Sequence, residues 1–248
     1  LGPTHGVRRR DRSVGEGRAA GSIARVVRRL FIACDFDGTI TARDTLHVIV
    51  ETYGERRLWD EIEPRLRRGE ITIEEAMQTE FASVRATADE VRQHVLRDAP
   101  VRPGFPEFVR WAEDSGHEVL VISSGFRSVI DAVLRESGLG HLDVRANDAA
   151  FTPTGATIVW SERGEVCLTC DRRCKRHDLR TRMHHDDTLV YVGDGISDRC
   201  ASLMADRVYA RAGLADYLDE QGAPHVVFGD FGDVLNDLRA TVGQVDGG

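Results

Sequence analysis

The sequence predicts an α/β fold, an open parallel sheet with helices on both faces. Three observations carry this. Leu30–Cys34, Val119–Ile122 and Leu189–Val192 are continuous apolar runs of strand length, the pattern of strands buried on both faces. Segments of helical spacing alternate with them. The three runs also end in polar clusters, Asp35/Asp37, Ser123/Ser124 and Asp194/Asp198, and open α/β sheets bind ligands at the carboxyl ends of their strands.

Taken in order, residues 1–29 carry eight Arg against Asp11 and Glu16, and their Gly content spoils any amphipathic helix, so a disordered leader is expected. Order begins at Leu30, in a strand that stops in Asp35–Phe36–Asp37–Gly38–Thr39. From 44 to 100 the character turns helical. Thr72 with Glu75 and Thr87 with Glu90 fit capping boxes, and Gly69 stops a helix after Arg65–Arg68. Past the punctuation of Pro100 to Pro106 come helical spacing over Phe105–Ser115, a strand His117–Ile122 and a helix over 127–137 ended by Gly138. Strand pieces near 142–151 and 156–160 precede a Cys-rich loop and a helix. The strand Thr188–Val192 runs into Gly193–Asp194–Gly195, followed by a helix near 198–205. Short strands near 207–210 and 225–228, with helices between and after, complete the pattern.

At 248 residues, 41% hydrophobic and 30% charged, the chain can bury a real core, which excludes a disordered or low-complexity protein. No apolar run is long enough to span a membrane, and a net charge of −8 argues against nucleic acid as a partner. Of 33 basic residues, only Lys175 is not Arg, so something at that position resisted the chain's bias. Five cysteines, an odd number, do not read as a disulfide framework, and a reducing cytoplasm is the expected setting.

Asp35 and Asp37, met by Asp194, would make an oxygen-only pocket that suits Mg²⁺ rather than a soft metal. A cation would relieve the mutual repulsion, leaving one Asp ionised as a nucleophile while its neighbour carries a proton. Taken singly, Asp-Gly and Gly-Asp-Gly read as turns, Ser123 as the N-cap of the following helix, and Lys175 as a solvated surface charge.

Together, these residues resemble the haloacid dehalogenase superfamily. Asp35–Phe36–Asp37–Gly38–Thr39 matches its first motif, Ser123 after an apolar strand the second, Lys175 the third, and Gly193–Asp194–Gly195–Ile196–Ser197–Asp198 the fourth. The resemblance implies a Rossmann-like core over 30–43 and 101–248, with residues 44–100 inserted as the small helical cap of the phosphoserine-phosphatase-like branch. It implies that Asp35 is the nucleophile, that Asp37 is the acid and base, and that Ser123, Ser124, Gly125 and Lys175 surround the phosphoryl group. Mg²⁺ would be held by Asp35, the Asp37 carbonyl and Asp194, with Asp198 in support. The second Asp argues for phosphoryl transfer, since dehalogenases of the superfamily lack it.

Within that branch, Cys34–Thr41 with Asp44, and the loop into Cys174–Lys175, look most like phosphatases of 2-hydroxy-3-keto-5-methylthiopentenyl-1-phosphate. Asp44 takes the place of a Glu that meets the substrate amine in phosphoserine phosphatases. The Cys-then-Lys loop is also similar to that of phosphoethanolamine and phosphocholine phosphatases, and a phosphotransferase would use the same intermediate. A small phosphorylated metabolite is the implied partner. Cys167, Cys170 and Cys174, with His177 near, are either reduced thiols in a loop presenting Lys175 or ligands of zinc, which usually takes two separated pairs.

Overall fold

The computed structural model describes residues 29–161 and 166–245, with Gly2 alone ahead of them. Apart from Gly2 and Arg29, the expected leader lies outside the described residues. Arg29 itself is tied to the sheet, its guanidinium donating to Asp187 at 2.8 and 2.9 Å and to Glu118 at 3.1 Å.

In chain order, β1 (Leu30–Cys34) is followed by α1 (Thr45–Tyr53), α2 (Arg56–Arg67), α3 (Ile73–Phe81) and α4 (Ala88–Asp98). Then come α5 (Phe105–Asp114), β2 (Glu118–Phe126), α6 (Arg127–Glu136), β3 (Asp143–Thr152), β4 (Gly155–Val159) and α7 (Arg176–Arg182). β5 (Thr188–Gly193), α8 (Arg199–Ser202), β6 (Arg207–Ala210), α9 (Ala212–Glu220), β7 (Val226–Val227) and α10 (Phe231–Val245) complete the order. The strands form one sheet, β4-β3-β2-β1-β5-β6-β7. Every neighbouring pair is parallel except β3 and β4. Only Pro153 and Thr154 separate those two, and so short a connection cannot cross over, which makes this edge an antiparallel hairpin where a parallel sheet was expected.

Alternate residues of β1 feed two layers. Leu30, Ile32 and Cys34 join Val119 and Val121 against Phe105, Ile130, Val133 and Val234 of α5, α6 and α10. Phe31 and Ala33 join Leu120, Ile122, Leu189 and Tyr191 against Leu179 of α7 and Ala201 of α8. Helices therefore cover both faces. Three of the four helices between β1 and α5, α1, α3 and α4, share the first layer: Ile49, Met77, Phe81, Val91 and Val95 belong to the same cluster as Phe126 and Val129. The chain leaves and re-enters the sheet layer along adjacent paths, with Thr41 bridging Val101 and the Ala42 N–H donating to the Pro100 carbonyl at 2.8 Å. Both capping boxes form, the N–H groups of Glu75 and Glu90 donating to the Thr72 and Thr87 hydroxyls at 3.1 and 3.3 Å.

Candidate active site

The loop after β1 is built to turn sharply at the sheet's centre. The Asp35 N–H donates to the Val192 carbonyl of β5 at 2.8 Å, so the first acid is still held by the sheet. Gly38 has φ +80°, and a Cβ there would collide with Asp194 Oδ2, so both backbone and space require glycine. The Thr39 hydroxyl donates to Asp194 Oδ1 at 2.9 Å, joining the ends of β1 and β5. Buried Arg102 donates to the carbonyls of Gly38, Thr39 and Thr41 at 2.7, 2.9 and 3.1 Å. Nothing in the sequence singles out Arg102 among 32 arginines, because its partners are backbone oxygens rather than a charged motif. Gly38→Ala is expected to cost about 1 kcal/mol through its positive φ, and to lose far more activity than stability, because the methyl displaces the Asp194 carboxylate. Parallel urea melts and phosphate-release assays check this, and intact turnover would refute it.

β2 runs on to Phe126 instead of stopping before Ser123, with a register shift against β3 between Ile122 and Phe126. Such an irregularity re-aims side chains. Ser123 is accordingly a strand residue and not an N-cap; its hydroxyl donates to Asp37 Oδ2 at 2.7 Å and accepts from the Gly125 N–H at 2.7 Å. A Cβ at Gly125 would lie 2.6 Å from Asp37 Oδ2, so glycine there gives the acid its place. Asp37 Oδ1 accepts from the Thr45 hydroxyl.

Lys175, entirely buried at 0% exposure, precedes α7 and donates through Nζ to Asp35 Oδ1 and, at 2.6 Å, to Asp198 Oδ1. Asp198 Oδ1 also accepts from the Tyr191 hydroxyl at 2.7 Å, and its Oδ2 accepts the N–H groups of Asp194 and Gly195 at 3.0 and 2.9 Å. These contacts split the expected 198–205 helix into a 3₁₀ turn at Ile196–Asp198 and the short α8. Asp198 thus spends both oxygens holding Lys175 and the loop that carries Asp194.

Asp35, Asp37, Asp44, Ser124 and Asp194 line one cavity of about 680 Å³, whose opposite wall comes from α2 and α3 through Trp59, Leu66, Ala76 and Met77. An adjoining cavity of about 620 Å³ shares Ser124, Leu66 and Met77 and reaches Lys175 and the cysteine loop. Ser123, Gly125 and Asp198 stand behind this surface, in contact with the acids and the lysine. Asp44 caps α1, its Oδ1 accepting the N–H groups of Leu46 and His47 at 2.8 and 3.1 Å. It faces the cavity while doing so.

The haloacid dehalogenase-like hydrolase profile matches residues 32–202, more than half of the chain. The chain belongs to that family. It is 28% identical over 88% of its length to a 2-hydroxy-3-keto-5-methylthiopentenyl-1-phosphate phosphatase of Brevibacillus brevis, covering 99% of that protein. It is 31% identical to half of the bifunctional enzyme MtnB/MtnX of Bacillus licheniformis, over 87% of its own length. A solved phosphoserine phosphatase holding an analogue of its phospho-aspartyl intermediate superposes with a TM-score of 0.66 at 20% identity, over 84% of this chain and 98% of that one. The phosphoserine phosphatase of T. onnurineus gives 0.62 at 19%, over 88% and 98%. This haloacid dehalogenase-like hydrolase is an enzyme, a phosphoric monoester hydrolase.

The charges of the hydrolase site ask for a cation. Burial, then Asp198, lift the Asp35 carboxyl well above its ordinary range against the pull of Lys175. Burial also raises Asp37 despite the Thr45 and Ser123 hydroxyls, and raises Asp194 to about 6 with help from Asp198. Lys175 keeps its charge, because Asp198 and Asp35 outweigh the cost of burying it. Asp35, Asp194 and Asp198 bring carboxylate oxygens within 4.8 Å of one another, and one lysine cannot neutralise them. With Asp198 committed to hydrogen bonds, Asp35 and Asp194 are the pair with room for a hard, oxygen-seeking ion.

Glu80, which the sequence did not single out, is a buried acid on the cavity wall. Burial, with Glu63 and Asp44 adding repulsion, pushes its carboxyl from 4.5 to about 8. The folded chain therefore holds a proton that the unfolded chain releases above about pH 4.5, and stability drains away as pH climbs toward 8. Glu80→Gln removes that loss. It is expected to match the parent near pH 4.5 and to exceed it by about 4 kcal/mol at pH 8. Urea unfolding at both pH values measures the difference, and an equal gain at the two would contradict the assignment.

Proposed function

We propose that this hydrolase dephosphorylates a small phosphate monoester through an aspartyl-phosphate on Asp35, and that its substrate is 2-hydroxy-3-keto-5-methylthiopentenyl-1-phosphate. The observation that carries the chemistry is a nucleophile candidate at the end of the central strand, pinned by a buried lysine beside a second acid held by Thr45 and Ser123. An Asp35 oxygen attacks phosphorus as the bond to the leaving oxygen breaks. Asp37, which burial keeps prone to protonation, gives that oxygen its proton. A water then attacks the aspartyl-phosphate, Asp37 takes its proton, and Asp35 is released with inorganic phosphate. Lys175 and Ser123, with the backbone at Ser124 and Gly125, hold the phosphoryl oxygens as charge moves onto them. Asp35, the Asp37 carbonyl and Asp194, with Asp198 in support, would hold Mg²⁺, which would supply further positive charge to the site.

Residues 44–100 act as the cap, excluding water from the closed site. Its apolar wall of Leu46, Leu66, Ile73 and Met77 suits a methylthioalkyl tail, and the similarity over nearly the full length of the Brevibacillus phosphatase favours the same substrate. A second reading has support of its own. Asp44 and Glu63 beside Trp59 form an acidic, aromatic wall that suits an amine such as phosphoethanolamine, phosphocholine or phosphoserine. The setting we infer is the cytoplasm, since none of the five cysteines is paired in a disulfide. Initial rates on a panel of these monoesters with Mg²⁺ decide between the substrates. The highest kcat/KM is expected on the methylthiopentenyl ester. A higher value on an amine ester would move the assignment there, and phosphate release stimulated by an added alcohol would make the enzyme a phosphotransferase.

A further inference from the structure

Three of the five cysteines crowd one loop, Cys167-x2-Cys170-x3-Cys174. A fourth comes from α8: Cys200 brings its sulfur into the group, and all four Sγ atoms lie within 4.8 Å of one another. His177, closer in sequence, is not among them. We propose that Cys167, Cys170, Cys174 and Cys200 form a structural tetrahedral zinc site.

The geometry fits the ion. Zinc–thiolate bonds of about 2.3 Å set at tetrahedral angles put neighbouring sulfurs about 3.8 Å apart, and Cys167 Sγ and Cys200 Sγ stand at 3.8 Å. The loop has the features of a chelating turn. The Asp171 N–H donates to the Cys167 carbonyl at 2.8 Å, the Cys167 N–H to the Arg172 carbonyl at 2.9 Å, and Asp171 takes a positive φ of 54°. The Thr169 N–H points at Cys167 Sγ from 3.4 Å, as N–H groups do where a thiolate must be steadied.

The loop has little else to hold it. Between Val166 and Lys175 there is neither helix nor strand, Leu168 is fully exposed, and Val166 is half exposed. Cys34 shows what a packing cysteine looks like in this chain, at 0% exposure inside the sheet layer, whereas the four loop and α8 cysteines are only partly covered. Four thiolates on one divalent ion leave a net negative centre. Arg176 approaches it, with Nη1 3.8 Å from Cys200 Sγ, and Arg172 and Arg173 line the adjoining cavity. Binding releases one proton from each thiol that still carries one, and no electron moves.

The position of the site gives it a purpose. Cys174 immediately precedes Lys175, and Cys200 follows Asp198 by two residues, so the ion would clasp together the two strands of chain whose side chains meet at 2.6 Å in the active site.

The full chain, purified under reducing conditions and stripped with a chelator, is titrated with Co²⁺ in excess Mg²⁺ that occupies the carboxylates. One Co²⁺ per chain is expected, with sulfur-to-metal charge-transfer bands and the intense visible bands of a tetrahedral site, displaced by one equivalent of Zn²⁺. Cys200→Ser is expected to weaken Zn²⁺ by about a hundredfold or more, since even outer-shell partners are worth about 10- to 100-fold. Asp35→Asn, outside the cluster, is expected to leave the bands intact. Spectra of octahedral, oxygen-ligated Co²⁺ alone would overturn the proposal whatever the variants do. None of these readouts depends on phosphatase activity, so the zinc site stands or falls apart from the proposed reaction.

Discussion

Asp35→Asn is expected to abolish phosphate release while leaving the fold in place. The amide fills the same volume, keeps an oxygen for Lys175, and cannot form the acyl-phosphate bond. Turnover is expected to fall by at least about 10⁴-fold, because losing the covalent route removes the reaction rather than one contact. Stability is expected to hold or rise. Asp35 sits among Asp37, Asp194 and Asp198, all of which oppose its ionisation, and the neutral side chain relieves that repulsion. Circular dichroism, a thermal melt and a discontinuous phosphate assay test both halves. Activity within tenfold of the parent would sink the covalent mechanism. Asp37→Asn is the companion: it leaves the nucleophile but removes the proton carrier, so it is expected to slow turnover by about 10² to 10⁴ and to let phosphorylated enzyme accumulate.

Lys175 is the second place where a single atom group decides a great deal. It is fully buried between Asp35 and Asp198, and among the described residues no other cation donates to either of them. Lys175→Met leaves two buried carboxylates without their counter-charge, a loss of about 3–5 kcal/mol when one partner of a buried pair is removed. Lys175→Arg keeps the charge, but its planar fork is larger than a pocket shaped to one Nζ, so kcat is expected to fall by about tenfold or more, each 1.36 kcal/mol being a factor of ten. Arg172→Ala, on the solvated side of the loop, is expected to change kcat far less. Denaturant melts of the Met variant and kinetics of the Arg variant check these. Parental kcat and KM for the Arg variant would mean that the lone lysine is an accident of composition.

Much of this was legible in the sequence because the signals were local. Buried parallel strands announce themselves as unbroken apolar runs, and the runs ending at Cys34, Ile122 and Val192 do fall at the middle of the sheet. The acids and Lys175 were legible because their residue types are constrained by what sits within a few ångströms. What escaped is what depends on partners distant in sequence. Arg102 binds backbone carbonyls, which carry no residue code. Cys200 lies 26 positions beyond Cys174 and looks unrelated until α8 folds back. The contact of Ser123 with Asp37 was hidden, because only the shifted register of β2 aims the hydroxyl at that acid. The reversed direction of β4 was readable in principle from the Pro153–Thr154 spacing.

The central place of β1 has a consequence for how the protein is made. Its two partners begin at Glu118 and Thr188, so the strand that presents Asp35 is synthesised long before anything can pair with it. At about 5–20 residues per second, a ribosome needs roughly ten to thirty seconds to travel from Leu30 to Thr188. For that interval Leu-Phe-Ile-Ala-Cys is an apolar ribbon with two bare edges, the kind of segment that sticks to copies of itself. The helices that follow are the first apolar surface to emerge that can shield it, through Ile49, Met77 and Phe81. Helices α1, α3 and α4 therefore emerge in time to cover that ribbon before its strand partners exist. A chain lacking residues 44–100 would fail first as aggregated product on the way out of the ribosome, and only afterwards as a slow enzyme.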